Sequence, residues 1–479
     1  MKHFLVAAAI TAITVASFTM SAETQPADTF DRFFTGRTMR VDYFHTGGLG
    51  QEIYSLDRVV SDGPWPGSRR RLVDDTNLGP YLFEVRDAKG GQLLYSRGFA
   101  SIFGEWQTTS EEKKAHRTFH ESLRFPWPKA PVTVVVKKRD AKNAFVEAWS
   151  ETVDPASRFV NAADLASPLA VWTLIENGPP AEKVDLLLVG DGYTAAQAGK
   201  FRSDAERLVK VLFETEPYKS RKADFNVRAI APPAATSGIN RPRTGDYRRT
   251  ALSTEYNIFD SERYVLTLDN RSLRDIASAA PYDAIEIVVN EEQYGGGGIF
   301  NDQATASVDT AFAEYIFIHE FGHHFAALGD EYYTSDVAYQ TGIEERPEPW
   351  EPNITALKDP ASLKWRDLVE PSTPIPTPWS KEEFEARSRE WQERRAEIRA
   401  KNLPESEMNA LFREQQEWET KFLSSMTYSG KVGAFEGASY EPKGLFRPEA
   451  DCIMFTRDAV GFCRVCRRAI ERIIDMHTR

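Results

Sequence analysis

The chain has 479 residues, a formal net charge of −12 and three cysteines. That length exceeds what one hydrophobic core usually serves, so two domains are expected. The acidic excess, 71 Asp and Glu against 59 Lys and Arg, excludes a general nucleic-acid binder, and so few cysteines exclude a disulfide-stapled scaffold.

Lys2 and His3 precede an apolar run over residues 4–18, and the small Ser21 and Ala22 come before Glu23. A run of this length is too short to span a bilayer comfortably. The order of charge, apolar run and small residues predicts a secretory signal peptide over residues 1–22, cleaved near Ala22. The protein is expected to be secreted or periplasmic, with no integral membrane association.

Residues 23–155 read as an all-β sandwich accessory domain. The stretches 38–44, 81–85, 92–95 and 132–137 are rich in β-branched and aromatic residues and are separated by turn signals such as Asp62-Gly63-Pro64. His116 and His120 stand four apart, but no acidic residue or cysteine is placed to complete a metal set, so they read as surface histidines.

From residue 156 onward the pattern is α/β. Residues 184–189 form a continuous apolar strand, 225–231 and 284–289 are further strands, and helices are expected over 194–212 and 271–279. Gly190-Asp191-Gly192 reads as a strand-to-helix turn that caps the helix. The four glycines 295–298 lack the Lys-Ser/Thr of a phosphate loop and read as a bend into an edge strand over 299–308. Residues 376–425 read as an inserted helical hairpin. Ser380 and Glu383 match a capping box, and the charge density predicts a lid or prop solvated on most faces.

Three of the eight histidines lie in His319-Glu320-Phe321-Gly322-His323-His324. On a helix, positions i and i+4 share a face, so His319 and His323 can present two imidazole nitrogens to one cation. Glu320 is placed to reach a metal-activated water without ligating the metal. This is the HExxH arrangement of zinc hydrolases, in which three protein ligands leave one position open. His324 points elsewhere, to a supporting or surface position. For the third ligand, Gly329 fits a helix C-cap and Asp330 follows it, able to fold back onto the metal. Glu331 competes with Asp330, and Glu344 or Glu345 would serve if a following helix supplied the ligand.

The segment 319–333, HEFGHHFAALGDEYY, resembles the signature of the IgA-peptidase family of bacterial zinc metallopeptidases. Supporting segments are 184–193, 225–227, 294–300, 435–447 and 451–466, and residues 23–155 resemble the β-rich accessory domain of such proteins less distinctively. The resemblance implies an α/β zincin-like catalytic domain over residues 156–479, with a mixed sheet and an active-site helix. It further implies Zn²⁺ held by His319, His323 and Asp330, with Glu320 as general base.

The reading that follows is a secreted zinc endopeptidase acting on protein or peptide substrates. A zinc hydrolase of non-peptide amides is one alternative. An adhesin or other binding protein with a vestigial zinc site is the second. Tyr440 is a candidate oxyanion donor, Met454 a candidate apolar floor beneath the metal, and an edge strand after the glycines a candidate platform for an extended peptide. In an oxidising compartment Cys452 is expected to pair with Cys463 or Cys466, the alternative being a second metal site of all three with His477.

Overall fold

The computed structural model describes residues 28–164, 169–334 and 347–478. The expected signal peptide lies outside the described residues, as do Glu344 and Glu345.

Seven long strands build the N-terminal part: β1 (Phe34–Gly48), β2 (Gln51–Pro64), β3 (Tyr81–Asp87), β4 (Leu93–Phe99), β5 (Arg117–Pro128), β6 (Val132–Arg139) and β7 (Phe145–Val153). With the two-residue β8 (Val160–Asn161) they form two sheets, ordered β5-β1-β2-β8 and β4-β3-β6-β7. Alternation sets the inward face: Phe119, Glu121, Leu123 and Phe125 of β5 are buried at every second position. Val41, Val85, Phe125 and Val134 meet in one core shared by both sheets. Two short helices, α1 (Asp28–Phe33) and α2 (Ile102–Trp106), accompany the strands.

A six-stranded mixed sheet forms the centre of the second part. Its strands are β9 (Val171–Ile175), β10 (Val184–Asp191), β11 (Phe225–Ile230), β12 (Ala284–Val289), β13 (Gly296–Ile299) and β14 (Gln303–Ser307), ordered β13-β14-β12-β10-β11-β9. The four inner strands are parallel, and the edges β13 and β9 are antiparallel to their neighbours. Every residue of β10 and β12 is buried, as strands covered on both faces must be. The covering helices include α3 (Ala198–Leu212), α4 (Asn270–Ala277) and α5 (Ala313–Ala326). Helices α3 and α5 share a core with Leu186 and Leu188, while α4 packs with Leu187 and Val189 on the opposite face.

Two expectations change here and a third is sharpened. Asp191 does not cap α3. Thr194 and Gln197 form the capping box at that helix entry, and Asp191 is buried, accepting from Thr250 Oγ1 at 2.8 Å and the Thr254 amide at 3.1 Å. The glycine run is not a bend before the edge strand; residues 296–298 are the edge strand, and the turn follows at Phe300–Asp302. The helical hairpin, α6 (Lys381–Ala400) and α7 (Glu405–Ser424), is solvated on most of its surface but is seated more firmly than its charge suggests. Phe384, Trp391, Met408, Leu411, Phe412 and Leu423 enter the main core, with Phe412 edge-on to Tyr294 at 5.0 Å between ring centroids. Its apolar residues outweigh its charge count because they are gathered on the faces that meet the sheet domain.

The chain closes with the hairpin β15 (Phe435–Ala438) and β16 (Glu441–Arg447), then α8 (Arg464–Thr478). No helix among the described residues is long and apolar enough to cross a membrane.

Candidate metal centre

Helix α5 is apolar nearly all round and buried, which fixes it against β13 and β14. Close approach explains the glycines of β13. A Cβ on Gly298 would stand 2.4 Å from the Glu320 carbonyl oxygen and 2.8 Å from His323 Cβ, and one on Gly296 would meet Glu320 Cγ at 3.1 Å. The edge strand therefore lies directly against the turn of helix that carries Glu320 and His323.

The helix ends sooner than Gly329. Ala327 takes the left-handed conformation at φ 56°, its N–H donates to the His323 carbonyl at 3.1 Å, and the Leu328 N–H donates to the Gly322 carbonyl at 3.3 Å. The first is the single 5→1 bond of an αL cap, made here by alanine where glycine is usual. The reversal brings Asp330 back over the helix.

His319 Nε2, His323 Nε2 and Asp330 Oδ1 converge, with separations of 3.1 Å between the two nitrogens and 3.1 and 3.2 Å from them to the oxygen. Ligands at 2.0–2.2 Å on a tetrahedral zinc stand about 3.3–3.6 Å apart, so the triangle is slightly tighter than such an ion requires. The tautomers follow from the partners. His319 Nδ1 donates to the Ile453 carbonyl at 2.9 Å and His323 Nδ1 to the Leu328 carbonyl at 2.5 Å, because a carbonyl can only accept. Neutral imidazoles so held turn two Nε2 lone pairs and a carboxylate oxygen to one point. Three acceptors facing one another need a cation or a proton between them, so this donor set fits a divalent metal. Without one, a proton serves: burial alone would lower the His323 pKa, but the Asp330 carboxylate raises it to about 9. Against the upward push of burial, the His323 and His319 imidazoles hold the Asp330 carboxyl well below the usual carboxylate range.

Glu320 offers a carboxylate oxygen within 4.8 Å of one ring nitrogen of each histidine. Burial pushes its pKa up, the two imidazoles oppose that, and Asp330 reinforces it. Glu320 faces a cleft of about 380 Å³, walled by Gly296–Gly298, Arg263, Tyr332 and Tyr440. Ser101, Gly104 and Glu105 of the N-terminal part complete the wall. That part is held in place where the Ala100 N–H donates to the Phe300 carbonyl at 2.9 Å and Asn301 Nδ2 to the Gly98 carbonyl at 3.1 Å.

Tyr440 sits in the two-residue turn of the β15–β16 hairpin, where Ser439 at φ 49° and Tyr440 at φ 63° are both left-handed. A tyrosine there is strained, and the strain is held by three bonds to one segment. The Ser439 N–H donates to the Asp330 carbonyl at 2.9 Å, the Tyr440 N–H to the Tyr332 carbonyl at 3.1 Å, and the Tyr440 hydroxyl to Asp330 Oδ2. Its hydroxyl thus orients the carboxylate rather than standing free as an oxyanion donor. Arg263, whose Nη2 donates to the Tyr332 hydroxyl at 3.1 Å, also lines the cleft. It went unnoticed in the sequence because an isolated arginine in a loop carries no local signal.

Other candidates fall elsewhere. His324 is buried rather than at the surface. Its Nε2 accepts from the Ile285 N–H at 3.1 Å and its Nδ1 donates to the Ile299 carbonyl at 2.9 Å, tying β12 to β13. Glu331, the rival third ligand, turns away from the triangle toward the cysteines, with Oε1 3.3 Å from Cys466 Sγ. Met454 is buried with its sulfur against Gly322, between the two histidines along α5. His116 is exposed, whereas His120 is half-buried, 3.2 Å from Asp57 and 3.0 Å from Asn270. The expected disulfide is not formed: all three cysteines are free, and Cys452 Sγ and Cys466 Sγ lie 3.9 Å apart.

A family model described as IgA Peptidase M64 matches residues 172–474, and one described as Peptidase M64 N-terminus matches residues 29–150. The chain belongs to the IgA peptidase M64 family. It is therefore a metallopeptidase with an M64 N-terminal domain, and its substrates are peptides. A search of curated proteins finds no match. The M64 match spans the whole triangle, the β13 edge and the Tyr440 turn.

Proposed function

We propose that this M64 protein is a secreted zinc endopeptidase with a zincin-like catalytic domain over residues 156–479, an accessory domain over 23–155, and a signal peptide removed near Ala22. His319, His323 and Asp330 would hold the Zn²⁺. The observation that carries the assignment is the convergence of His319 Nε2, His323 Nε2 and Asp330 Oδ1 within 3.2 Å of one another beside Glu320. When bound, zinc supplies a Lewis acid that lowers the pKa of a water to about 7 and polarises a carbonyl.

The chain's own residues do the rest. Glu320 takes the proton of the attacking water on its carboxylate and returns one to the leaving amine. A base above the ordinary carboxylate range is better matched to that transfer, and burial moves Glu320 in that direction. The Ile453 and Leu328 carbonyls and the Tyr440 hydroxyl keep the three ligand atoms oriented. Strand β13 lies on the cleft wall; its Gly296 N–H and carbonyl are already bonded to the Arg263 carbonyl and the Val265 N–H, each at 3.1 Å, so an extended peptide would have to use the β13 backbone beyond Gly296. Ser101 and Glu105 restrict that channel from the other side, giving the accessory domain a part in substrate choice.

Digestion of a diverse peptide library, with and without chelator, tests this reading by mass-spectrometric mapping of cleavage sites. Internal cleavages that vanish with chelator and return with zinc are expected. Trimming only at chain ends, or cleavage indifferent to chelator, would overturn the endopeptidase assignment.

A further inference from the structure

Cys452, Cys463, Cys466 and Glu331 are all buried, and each offers one ligand atom such that the four atoms lie within 4.8 Å of one another. The separations match a shared metal rather than a bond between sulfurs. Two thiolates on a tetrahedral zinc, at about 2.3 Å each, stand about 3.8 Å apart. Cys452 Sγ and Cys466 Sγ are 3.9 Å apart. A disulfide needs about 2.05 Å, and a single disulfide would leave the third buried thiol beside it. A thiolate and a carboxylate oxygen on the same ion stand about 3.5 Å apart; Glu331 Oε1 and Cys466 Sγ are at 3.3 Å.

The surrounding polypeptide is arranged for thiolates. Cys463 immediately precedes α8 and Cys466 lies in its first turn, where the helix dipole favours negative charge. The Cys463 N–H points to Cys452 Sγ at 3.2 Å and the Cys466 N–H to Cys463 Sγ at 3.5 Å. Glu331 Oε1 is held by Asn353 Nδ2 at 3.0 Å, but Oε2 is buried without a hydrogen-bond partner. An unpartnered buried carboxylate oxygen is costly unless something else satisfies it. His477 is not part of the set; its Nδ1 faces Asp283 at 3.3 Å.

We propose that Cys452, Cys463, Cys466 and Glu331 form a second Zn²⁺ site, closed and structural, that braces the peptidase centre from behind. Three sulfurs and one oxygen fill a tetrahedron and leave no open position for a substrate, which is the mark of a structural rather than a catalytic ion. Binding displaces the thiol protons to solvent. The bracing follows from chain connectivity. Glu331 follows Asp330, and Cys452 precedes Ile453, whose carbonyl orients His319. The Glu331 N–H also donates to the Met454 carbonyl at 2.8 Å, joining the two segments beside the site. One ion thus fixes both the segment that brings Asp330 and the segment that aligns His319. This site stands independently of the peptidase assignment.

The test is metal content together with cobalt spectroscopy on the full chain. Inductively coupled plasma mass spectrometry should find two zinc ions per chain in the unsubstituted protein and one in His319→Ala/His323→Ala. The peptidase triangle has no sulfur, so a sulfur-to-cobalt charge-transfer absorption after cobalt exchange reports only on the cysteine site. That absorption should appear in the unsubstituted protein and persist in the double histidine variant, and Cys463→Ser/Cys466→Ser should lose it. The cobalt spectrum of the unsubstituted chain is decisive by itself, whether or not the cysteine variant folds. Absence of the charge-transfer absorption overturns the proposal, whether thiol alkylation then finds three free cysteines or two joined in a disulfide.

Discussion

Replacing Gly298 with alanine probes how closely β13 must approach the catalytic helix. The new Cβ would stand 2.4 Å from the Glu320 carbonyl oxygen and 2.8 Å from His323 Cβ, roughly 1.0 and 0.6 Å inside ordinary contact distance. Neither neighbour is the free end of a flexible side chain: one is helix backbone, the other is the root of the His323 side chain. Relief requires the strand and the helix to move apart. Overpacking of this kind costs about 1–3 kcal/mol of stability. A displacement of about 1 Å at a reacting centre costs about 10²-fold in rate, equivalent to about 2.7 kcal/mol in the barrier. The expected result is a fall of about 10²-fold in kcat/KM on a fluorogenic peptide, with a loss of about 1–3 kcal/mol in urea unfolding. Gly199→Ala is the control. It lies exposed within α3, its added Cβ meets nothing within 4 Å, and it should gain about 0.5–1 kcal/mol with unchanged turnover. Full activity in Gly298→Ala would refute the claim that contact between β13 and α5 sets the geometry of the centre.

Three further outcomes are expected. Tyr440→Phe removes the hydroxyl that donates to Asp330 Oδ2, and zinc affinity measured by competition with a chromogenic chelator should weaken about 10–100-fold; unchanged affinity would remove Tyr440 from the metal's support. In the accessory domain, His45 is buried between Glu121 at 3.0 Å and Glu52 at 2.9 Å; burial lowers its pKa, but the two carboxylates outweigh that and raise it. A raised folded pKa contributes stability that is complete below the unfolded value of about 6.5 and is lost as pH rises through the folded value. His45→Gln should therefore flatten the decline in urea midpoint between neutral and alkaline pH, and parallel profiles for both proteins would contradict this. Saturating zinc at about 1,000 times its dissociation constant should add about 4 kcal/mol to unfolding, so chelation should lower the thermal midpoint reversibly.

Much of the framework was readable because single residues or short runs carried the physics. The run at 184–189, apolar apart from Asp185 and short between turn signals, reads as a strand buried on both faces, and histidines spaced by four on a helix share one face. What stayed hidden depends on contacts distant in sequence. Asp330 and Glu331 are adjacent acids of opposite fate, and the difference lies in what each meets: two imidazoles and Tyr440 for one, Cys466 and Asn353 for the other. The reversal after α5 rests on Ala327, a residue with no intrinsic preference for left-handed backbone, held there by two hydrogen bonds at the helix end. The charged α6–α7 hairpin hid its buried face because charge density reports the solvent side, while six apolar residues on the other side decide the packing. The four glycines suggest a bend, whereas their use is close approach: Gly296 and Gly298 lie without a Cβ beneath α5, and Gly295 and Gly297 against the Arg263–Val265 segment.

The central claim is that His319, His323 and Asp330 hold zinc while Glu320 moves the proton. Glu320→Gln tests it most directly, because the amide is nearly isosteric but cannot accept the water's proton. Zinc content and peptide hydrolysis should be measured on the same preparation. Zinc at the level of the unsubstituted protein, with hydrolysis reduced by at least about 10²-fold, is the predicted result. Hydrolysis that survives with zinc intact would contradict the account.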